Sequence, residues 1–182
     1  MSNVSLAESV SSGTSVATAS GSDVDASTTL TYSISSGNGD GKFTINSSTG
    51  AITTAATLDY EDETQYTLVV AVSDGSLSTT TNQVINITNV NEAPTLASMS
   101  NVSLAENVSS GTSVATASGS DVDASTTLTY SITSGNSAGK FTINSSTGAI
   151  TTAATLDYET TTSYTLTIQV SDGSLTATTN QV

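Results

Sequence analysis

Two aspartates stand two residues apart in the stretch GSDVDAS, and this stretch occurs twice in the chain. The first copy holds Asp23 and Asp25, and the second holds Asp121 and Asp123. Each pair lies among small residues that favour turns, so its carboxylates are expected at the surface. A pair of this kind can form an ordinary solvated turn, or it can bind a cation.

The charge balance of the chain favours cations over anionic partners. The sequence contains 16 Asp and Glu residues against 2 Lys and Arg residues, which gives a formal net charge of −14. A surface of this charge repels nucleic acid and anionic membranes. No apolar run approaches the roughly 18 residues that a membrane-spanning helix requires, so membrane insertion is not expected.

Two residue types that carry much enzyme chemistry are absent. The sequence contains no Cys and no His. Their absence excludes disulfides, thiol catalysis, thiolate or His-ligated zinc sites, and a Ser-His-Asp triad. We therefore do not expect an enzyme, and the candidate functional residues are carboxylates and amides.

A self-comparison reveals a tandem repeat. Residues 1–84 align without a gap with residues 99–182, and 12 of the 84 aligned positions differ. The sequence therefore predicts two domains, 1–98 including a linker, and 99–182. Because Val182 corresponds to Val84, the second domain is expected to be truncated in its last strand. Such an ending is typical of a piece of a longer array, and a natural two-repeat protein also fits.

The differences between the copies separate two groups of acids. Asp40, Asp62 and Glu63 are replaced in the second copy, so we assign them to solvent. The other acids of the aligned region recur: they are Glu8, Asp23, Asp25, Asp59, Glu61 and Asp74, with the counterparts Glu106, Asp121, Asp123, Asp157, Glu159 and Asp172. These recurring acids are the candidates for a shared function.

Alternating apolar residues predict about seven short strands in each copy and no helix. In the first copy, the alternation is clearest in LTYSI, KFTIN, YTLVVAV and NQVINITNV, and clusters of Ser, Gly and Asn separate the runs. Seven strands in about 100 residues predict a two-sheet β-sandwich. Tyr32, Phe43, Tyr66 and their copies are assigned to its core.

Nearly all of the recurring acids fall at strand ends or in loops. In order, the motifs are LAE (Leu6–Glu8), DVD (Asp23–Asp25), LDYE (Leu58–Glu61), SDG (Ser73–Gly75) and NVNEAP (Asn89–Pro94). This ordered set resembles the cadherin repeat, and especially the cadherin-like repeats of large bacterial surface adhesins. The resemblance covers the whole first copy and all of the second that is present. It implies two tandem Greek-key β-sandwiches with calcium bound at their junction.

The resemblance also implies the ligands of one complete junction. They are Glu8, Asp59 and Glu61 from the first repeat, Asn89, Asn91 and Glu92 from the linker, and Asp121, Asp123 and Asp172 from the second repeat. Where the family linker commonly reads DxNDNxP, this one reads NVNEAP, so either two or three ions are expected. Two half-sites should bind calcium weakly or not at all. One consists of Asp23, Asp25 and Asp74, and the other consists of Glu106, Asp157 and Glu159.

The functional expectation that follows is structural. The chain is interpreted as calcium-rigidified extender repeats of an extracellular bacterial adhesin at the cell surface, with adjacent repeats as partners. The alternative is a homophilic or polysaccharide-binding adhesion module, although the absence of Trp disfavours stacking on sugars. On their own, DVD and SDG would be turns, and Asn89 and Asn91 would suit an ordinary linker.

Overall fold

A computed structural model of the chain describes residues 1–25 and 28–182. Within these ranges the protein consists of fifteen β-strands and contains no helix. The chain divides into two compact units, Met1–Val90 and Asn91–Val182. The last two residues of the first GSDVDAS stretch lie outside the described residues.

Unit 1 contains the seven strands that the alternation predicts. They are β1 (Val4–Ala7), β2 (Ser15–Thr18), β3 (Thr31–Ser36), β4 (Phe43–Ile45), β5 (Ala51–Thr54), β6 (Gln65–Ser73) and β7 (Ser78–Thr88). One sheet has the order β1-β7-β6-β3 and the other has the order β2-β5-β4. The prediction of an all-β sandwich is therefore confirmed.

The last half of β7 lies between two strands. It pairs in parallel with β1, from Val4 opposite Ile85 to Ala7 opposite Thr88. On its other side it pairs antiparallel with β6, where Tyr66 lies opposite Ile85. Because successive strand residues point to opposite faces, Ile85 and Ile87 both enter the core, and they are 0% and 4% exposed.

The core of unit 1 is small and aliphatic, with one aromatic pair. The rings of Phe43 and Tyr66 meet edge to face, with centroids 5.1 Å apart. Val16, Ile52, Leu58 and Leu68 belong to the same buried cluster. Burial, together with the nearby acids led by Glu63, raises the pKa of Tyr66 above its ordinary value, so this phenol stays neutral in the core.

Unit 2 begins with part of the linker. Its strands are β8 (Thr95–Leu96), β9 (Ser113–Thr116), β10 (Gly119–Ser120), β11 (Thr129–Ser134), β12 (Phe141–Ile143), β13 (Ala149–Thr152), β14 (Leu166–Ser171) and β15 (Thr176–Gln181). The sheets have the orders β11-β14-β15, β12-β13-β9 and β10-β8. Because β8 pairs with β10, the compact unit begins before the repeat boundary expected at residue 98.

The sheet that contains β14 and β15 is shorter than its counterpart in unit 1. β15 has 6 residues where β7 has 11, and β14 begins at Leu166, whereas β6 begins at Gln65, the counterpart of Ser163. Residues 101–105, the counterparts of β1 and its flanks, belong to no strand among the described residues.

A glutamine in each unit is buried although nothing in the sequence analysis assigns it to the core. Gln83 and Gln181 are 0% and 2% exposed. The side-chain amide of Gln83 donates to the carbonyls of Ser2 and Val84, at 2.8 Å each, and Gln181 repeats the pattern with Ser100 and Val182. These bonds tie the start of each unit to its last strand, and the inward position of Gln83 follows from its two-residue spacing from Ile85.

Gly37 lies where the chain leaves β3 and passes close to β6. Its φ is +83°, and a Cβ atom added there would lie 1.9 Å from the carbonyl oxygen of Thr67. Gly41 also has a positive φ, +65°, but a Cβ atom there would meet nothing within 4 Å. Substitutions at Gly37 and Gly41 therefore distinguish the cost of a left-handed backbone, present at both positions, from the cost of a steric clash, present only at Gly37.

We expect Gly37→Ala to lower the free energy of unfolding of unit 1 by about 3 kcal/mol or more, because a clash with backbone adds to the cost of the left-handed conformation. Gly41→Ala, the matched control, should cost only about 1–2 kcal/mol. Urea titration of both variants measures the difference. Equal losses would contradict the close approach of Gly37 to β6.

Candidate metal centre

Three carboxylates of unit 1 converge although they come from distant parts of the chain. Glu8 follows β1, and Asp59 and Glu61 lie between β5 and β6. One carboxylate oxygen from each lies within 4.8 Å of the others. Two ligands of one calcium ion, each 2.3–2.6 Å from it, can be at most about 5 Å apart. The spacing of the three carboxylates therefore suits shared coordination of one ion.

Glu8 is held in place by backbone groups of two other segments. Its side chain is 9% exposed, and its two oxygens accept the N–H groups of Tyr60 and Val90 at 2.7 Å each. Its own N–H donates to the carbonyl of Thr88 at 3.2 Å. The carboxylate position therefore depends on β1, on the LDYE segment and on the residues that follow β7.

Asp59 shapes the loop that carries Glu61. Its Oδ1 accepts the N–H groups of Glu61 and Asp62, at 3.0 and 3.2 Å, and its carbonyl accepts the N–H of Glu63 at 3.1 Å. Such aspartate-centred turns fix the local backbone. The loop therefore presents the Asp59 and Glu61 carboxylates on a defined turn.

Unit 2 repeats this cluster with Glu106, Asp157 and Glu159, whose oxygens also lie within 4.8 Å of one another. All three side chains are exposed, unlike Glu8. Glu106 accepts the N–H of Tyr158 at 2.7 Å. Thr160, which replaces Asp62, donates its hydroxyl to Asp157 at 2.9 Å, a contact that the sequence analysis did not anticipate.

The remaining predicted ligands of unit 2 form two pairs with linker residues. The side-chain amide of Asn91 donates to Asp172 Oδ2 at 2.8 Å, and the N–H of Glu92 donates to Asp123 Oδ2 at 3.0 Å. Asp121 Oδ1 accepts the N–H of Asp123 at 3.0 Å. The linker, the DVD loop and the SDG turn are therefore brought together within unit 2.

Asp121 carries a buried oxygen that the protein does not satisfy. Its Oδ2 atom is buried and has no hydrogen-bond partner among residues 1–25 and 28–182. Burying an ionised oxygen without a donor costs several kcal/mol, unless a cation compensates its charge. This atom, in a set made only of carboxylate and amide oxygens, fits a hard cation such as calcium.

The corresponding residues of unit 1 are more open. Asp23 and Asp25 are exposed on a turn in which Asp23 Oδ1 accepts the N–H of Asp25 at 2.8 Å. Asp74 accepts the N–H groups of Ser76 and Leu77 at 2.6 Å each. Asp23 and Asp74 line one groove, and Asn89 is exposed directly after β7.

Hydrogen bonds keep two of the candidate ligands ionised. The Asn91 side-chain amide, followed by the N–H groups of Leu175 and Ser174, lowers the pKa of Asp172 below its ordinary value. The N–H groups of Leu77 and Ser76 lower the pKa of Asp74 in the same direction. Both carboxylates are therefore charged at neutral pH, as metal ligands must be.

The cadherin domain model matches residues 2–88 and 100–182, the two ranges that carry these clusters. The chain belongs to the cadherin domain family. The predicted tandem repeats of this family are therefore confirmed. Among the described residues, no helix has the length and apolar character needed to cross a membrane.

The cadherin relatives with similar sequences are large proteins. The chain is 38% identical to mouse Protocadherin Fat 4 over 138 residues, which is 72% of this chain and 3% of that protein. It is 38% identical over 176 residues to the human Cadherin EGF LAG seven-pass G-type receptor 2, covering 94% of this chain and 6% of that protein. The chain thus spans only a small part of either relative.

Solved cadherin structures share the fold. The Protocadherin gammaB7 EC3-6 cis-dimer structure matches with a TM-score of 0.71 at 28% identity, covering 99% of this chain and 45% of that one. Human Protocadherin-24 EC1-2 matches with a TM-score of 0.75 at 22% identity, covering 100% of this chain and 95% of that one. Protocadherin Fat 4 and the seven-pass receptor come from mouse and human, so the bacterial source is a proposal.

We expect Asn91→Ala to raise the pKa of the Asp172 carboxyl, because the variant removes the contact that lowers it most. The stabilisation linked to a lowered pKa is present at neutral pH and is lost as the pH falls through the folded-state pKa, so this window should move upward. NMR titration of carboxyl carbons in EDTA measures the change. Asp74 is the internal control, and an unmoved Asp172 would refute the assignment of this contact.

Proposed function

We propose that these cadherin repeats are calcium-rigidified structural extenders of an extracellular adhesin, and that they support cell adhesion without enzymatic activity. The observation that carries this proposal is the recurrence, in both units, of three carboxylates whose oxygens lie within 4.8 Å of one another. The presence of the same ligand cluster in both repeats supports a common cation-binding role. The order of the five motifs supports calcium as that cation.

The residues that would hold calcium between the repeats come from three segments. They are Glu8, Asp59, Glu61, Asn89, Asn91, Glu92, Asp121, Asp123 and Asp172. Seven of these nine are carboxylates, and calcium takes six to eight oxygen ligands, so two or three ions with shared ligands fit the set. Bound calcium would supply +4 to +6 of charge, which offsets the mutual repulsion of the carboxylates.

Each unit contributes ligands that its own backbone already orients. Glu8 is fixed by the N–H groups of Tyr60 and Val90, and Asp172 by those of Ser174 and Leu175. Ligands held in this way lose little conformational entropy on binding. The two half-sites, of which the exposed Asp23 and Glu106 are members, would bind calcium weakly.

In the proposed mechanism, calcium binding orders the linker. Because the native arrangement binds the ion and the unfolded chain does not, calcium stabilises it by about 1.4 kcal/mol at ten times the dissociation constant. Modules that work outside cells bind calcium with dissociation constants of about 10⁻⁴–10⁻³ M. An extracellular, cell-surface location is therefore part of the proposal, with adjacent repeats as the partners.

The bacterial source rests on the motif set and on the similarity of the two copies. The copies differ at 12 of 84 aligned positions, as expected for an array that grows by duplicating one repeat. A structural extender needs many equivalent units rather than one specialised binding surface. The similarity of the two copies therefore supports an extender role in a large surface adhesin.

Metal analysis of the purified chain should find two or three calcium ions per molecule. We expect Asp121→Ala combined with Asp123→Ala to weaken calcium binding at least about tenfold, because it removes two ligands, one of them with a buried unsatisfied oxygen. The matched control is Asp40→Ala, which copies the residue of the second repeat at a position outside the ligand set and should leave the calcium affinity unchanged. Isothermal titration measures both, and unchanged affinity in the first variant would sink the ligand assignment.

Small-angle scattering tests the rigidifying role separately. In calcium the two repeats should behave as one body, and in EDTA they should move independently, because seven carboxylates then repel one another. The expected result is a broader distribution of distances and a larger spread of conformers in EDTA. Identical profiles in calcium and EDTA would rule out calcium as the element that fixes the repeats.

A homophilic contact is the second candidate function. It is favoured by the similarity to Protocadherin gammaB7, whose EC3-6 structure is a cis-dimer and which is 28% identical to this chain. Beads coated with the protein should then aggregate in calcium and disperse in EDTA. Beads that carry polysaccharide instead of protein test the remaining alternative, a glycan contact.

A further inference from the structure

The sequence contains only two cationic side chains, and both occupy the same position in their repeat. Lys42 and Lys140 are the only Lys or Arg residues among 182, against 16 Asp and Glu residues. The Lys42 ammonium donates to the carbonyl of Thr57 at 2.8 Å, and the Lys140 ammonium donates to the carbonyl of Thr155 at 2.5 Å. In both repeats the cation therefore binds a main-chain carbonyl two residues before the aspartate of the LDYE motif.

This carbonyl lies in the connection that carries the candidate ligands. Residues 55–64 connect β5 to β6 and contain the LDYE motif. The connection is bound twice to Lys42, because the N–H of Ala55 donates to the Lys42 carbonyl at 2.7 Å and the Lys42 ammonium donates to Thr57. Lys42 directly precedes β4, so its backbone is fixed by the sheet. It therefore ties the start of the connection to β4.

The residues after Thr57 are anchored in turn. Leu58 is 6% exposed and belongs to the core cluster, and the N–H of Tyr60 donates to the Glu8 carboxylate at 2.7 Å. Asp59 lies between these two anchored residues. Groups behind metal ligands set the orientation of those ligands and affect metal affinity. A shift of the Thr57 carbonyl would therefore reach the acid cluster through the backbone.

The charge of Lys42 and its hydrogen bond have opposite effects on a bound cation. The ammonium lies at a carbonyl two residues from Asp59, so its charge would repel calcium and lower the affinity. Its hydrogen bond would raise the affinity, because ligands on a fixed backbone lose less conformational entropy on binding. A bond from an ionised donor is about twice as strong as a neutral one. Removal of Lys42 therefore distinguishes the two effects by the sign of the change.

We propose that Lys42 is a positioning residue for the calcium ligands Asp59 and Glu61, and that Lys140 has the same role in the second repeat. The ammonium fixes the connection between β5 and β6 through the Thr57 carbonyl and touches no ion itself. This inference rests on the proposed calcium-binding function and adds a residue to it. The affinity of an all-acid ligand cluster then depends on a cationic side chain outside the cluster.

The first test is Lys42→Met in the full chain, which removes the donor and keeps the aliphatic stem. A titration with calcium chloride, followed by NMR at the Glu61 amide, should show binding at least about threefold weaker, because a hydrogen bond from a charged group is lost. Lys42→Arg keeps a charged donor and should restore most of the affinity. Unchanged or tighter binding in Lys42→Met would overturn the proposal, and tighter binding is the result expected from loss of a charge alone.

The second repeat provides the matched control. Lys140→Met removes the same charge and the same kind of contact from unit 2, and it should leave the calcium titration at the Glu61 amide unchanged. Equal weakening in Lys42→Met and Lys140→Met would also overturn the proposal, because the net charge of the chain would then set the affinity.

Hydrogen exchange in EDTA tests the positioning without calcium. In Lys42→Met the amides of Tyr60 and Glu61 should exchange faster than in the unchanged chain, whereas those of Ile85 and Ile87 in β7 should not. Unchanged exchange at Tyr60 and Glu61, or equal acceleration at all four amides, would refute the role of Lys42. If Lys42→Met does not fold, Lys42→Gln, with a shorter and uncharged side chain, replaces it. If the unchanged chain binds no calcium, the proposed function fails, and the exchange rates still decide whether Lys42 fixes the connection.

Discussion

The residues that follow Gln83 hold unit 1 together, because Ile85–Thr88 pairs with strands on both of its sides. On one side lies β1, and on the other lie Gln65 and Tyr66, the first two residues of β6. Two isoleucines of this segment are almost fully buried, so it closes the core and joins the sheet in one step. A chain with no Cys has no disulfide to replace this pairing, and so the sheet must provide the closure itself.

The same strand pairing positions Glu8, one of the candidate metal ligands. Glu8 is anchored on Thr88 through its backbone and on Val90 through its carboxylate, which explains why it is 9% exposed. Glu106 has the same neighbours in sequence, but its side chain is exposed. The position of Glu8 in the acid cluster therefore depends on the pairing of β1 with the end of β7.

The fold was predictable from alternation and the acid clusters from the ordered motifs, but several decisive contacts were not. Most strands of unit 1 coincide with runs that alternate in the sequence, although β7 begins at Ser78, before the alternating run NQVINITNV. By contrast, β8 has 2 residues, too few for any periodic signal. The partners of Glu8 are backbone N–H groups of Tyr60 and Val90, which every residue type carries, so no side-chain pattern could reveal them.

The linker residues from Asn91 onward belong to the unit that follows. This placement lets the Asn91 side chain contact Asp172 of the same unit. Thr95 and Leu96 pair with Ser120 and Gly119, so the residues just before them reach the DVD and SDG loops of the same unit. At position 91 an amide can donate to Asp172, whereas a carboxylate would repel it. An asparagine there lowers the pKa of Asp172 without adding a negative charge to a region that is already crowded with acids. In the proposed site the linker would supply oxygen ligands through Glu92, while Asn91 keeps a neighbouring carboxylate ionised and oriented.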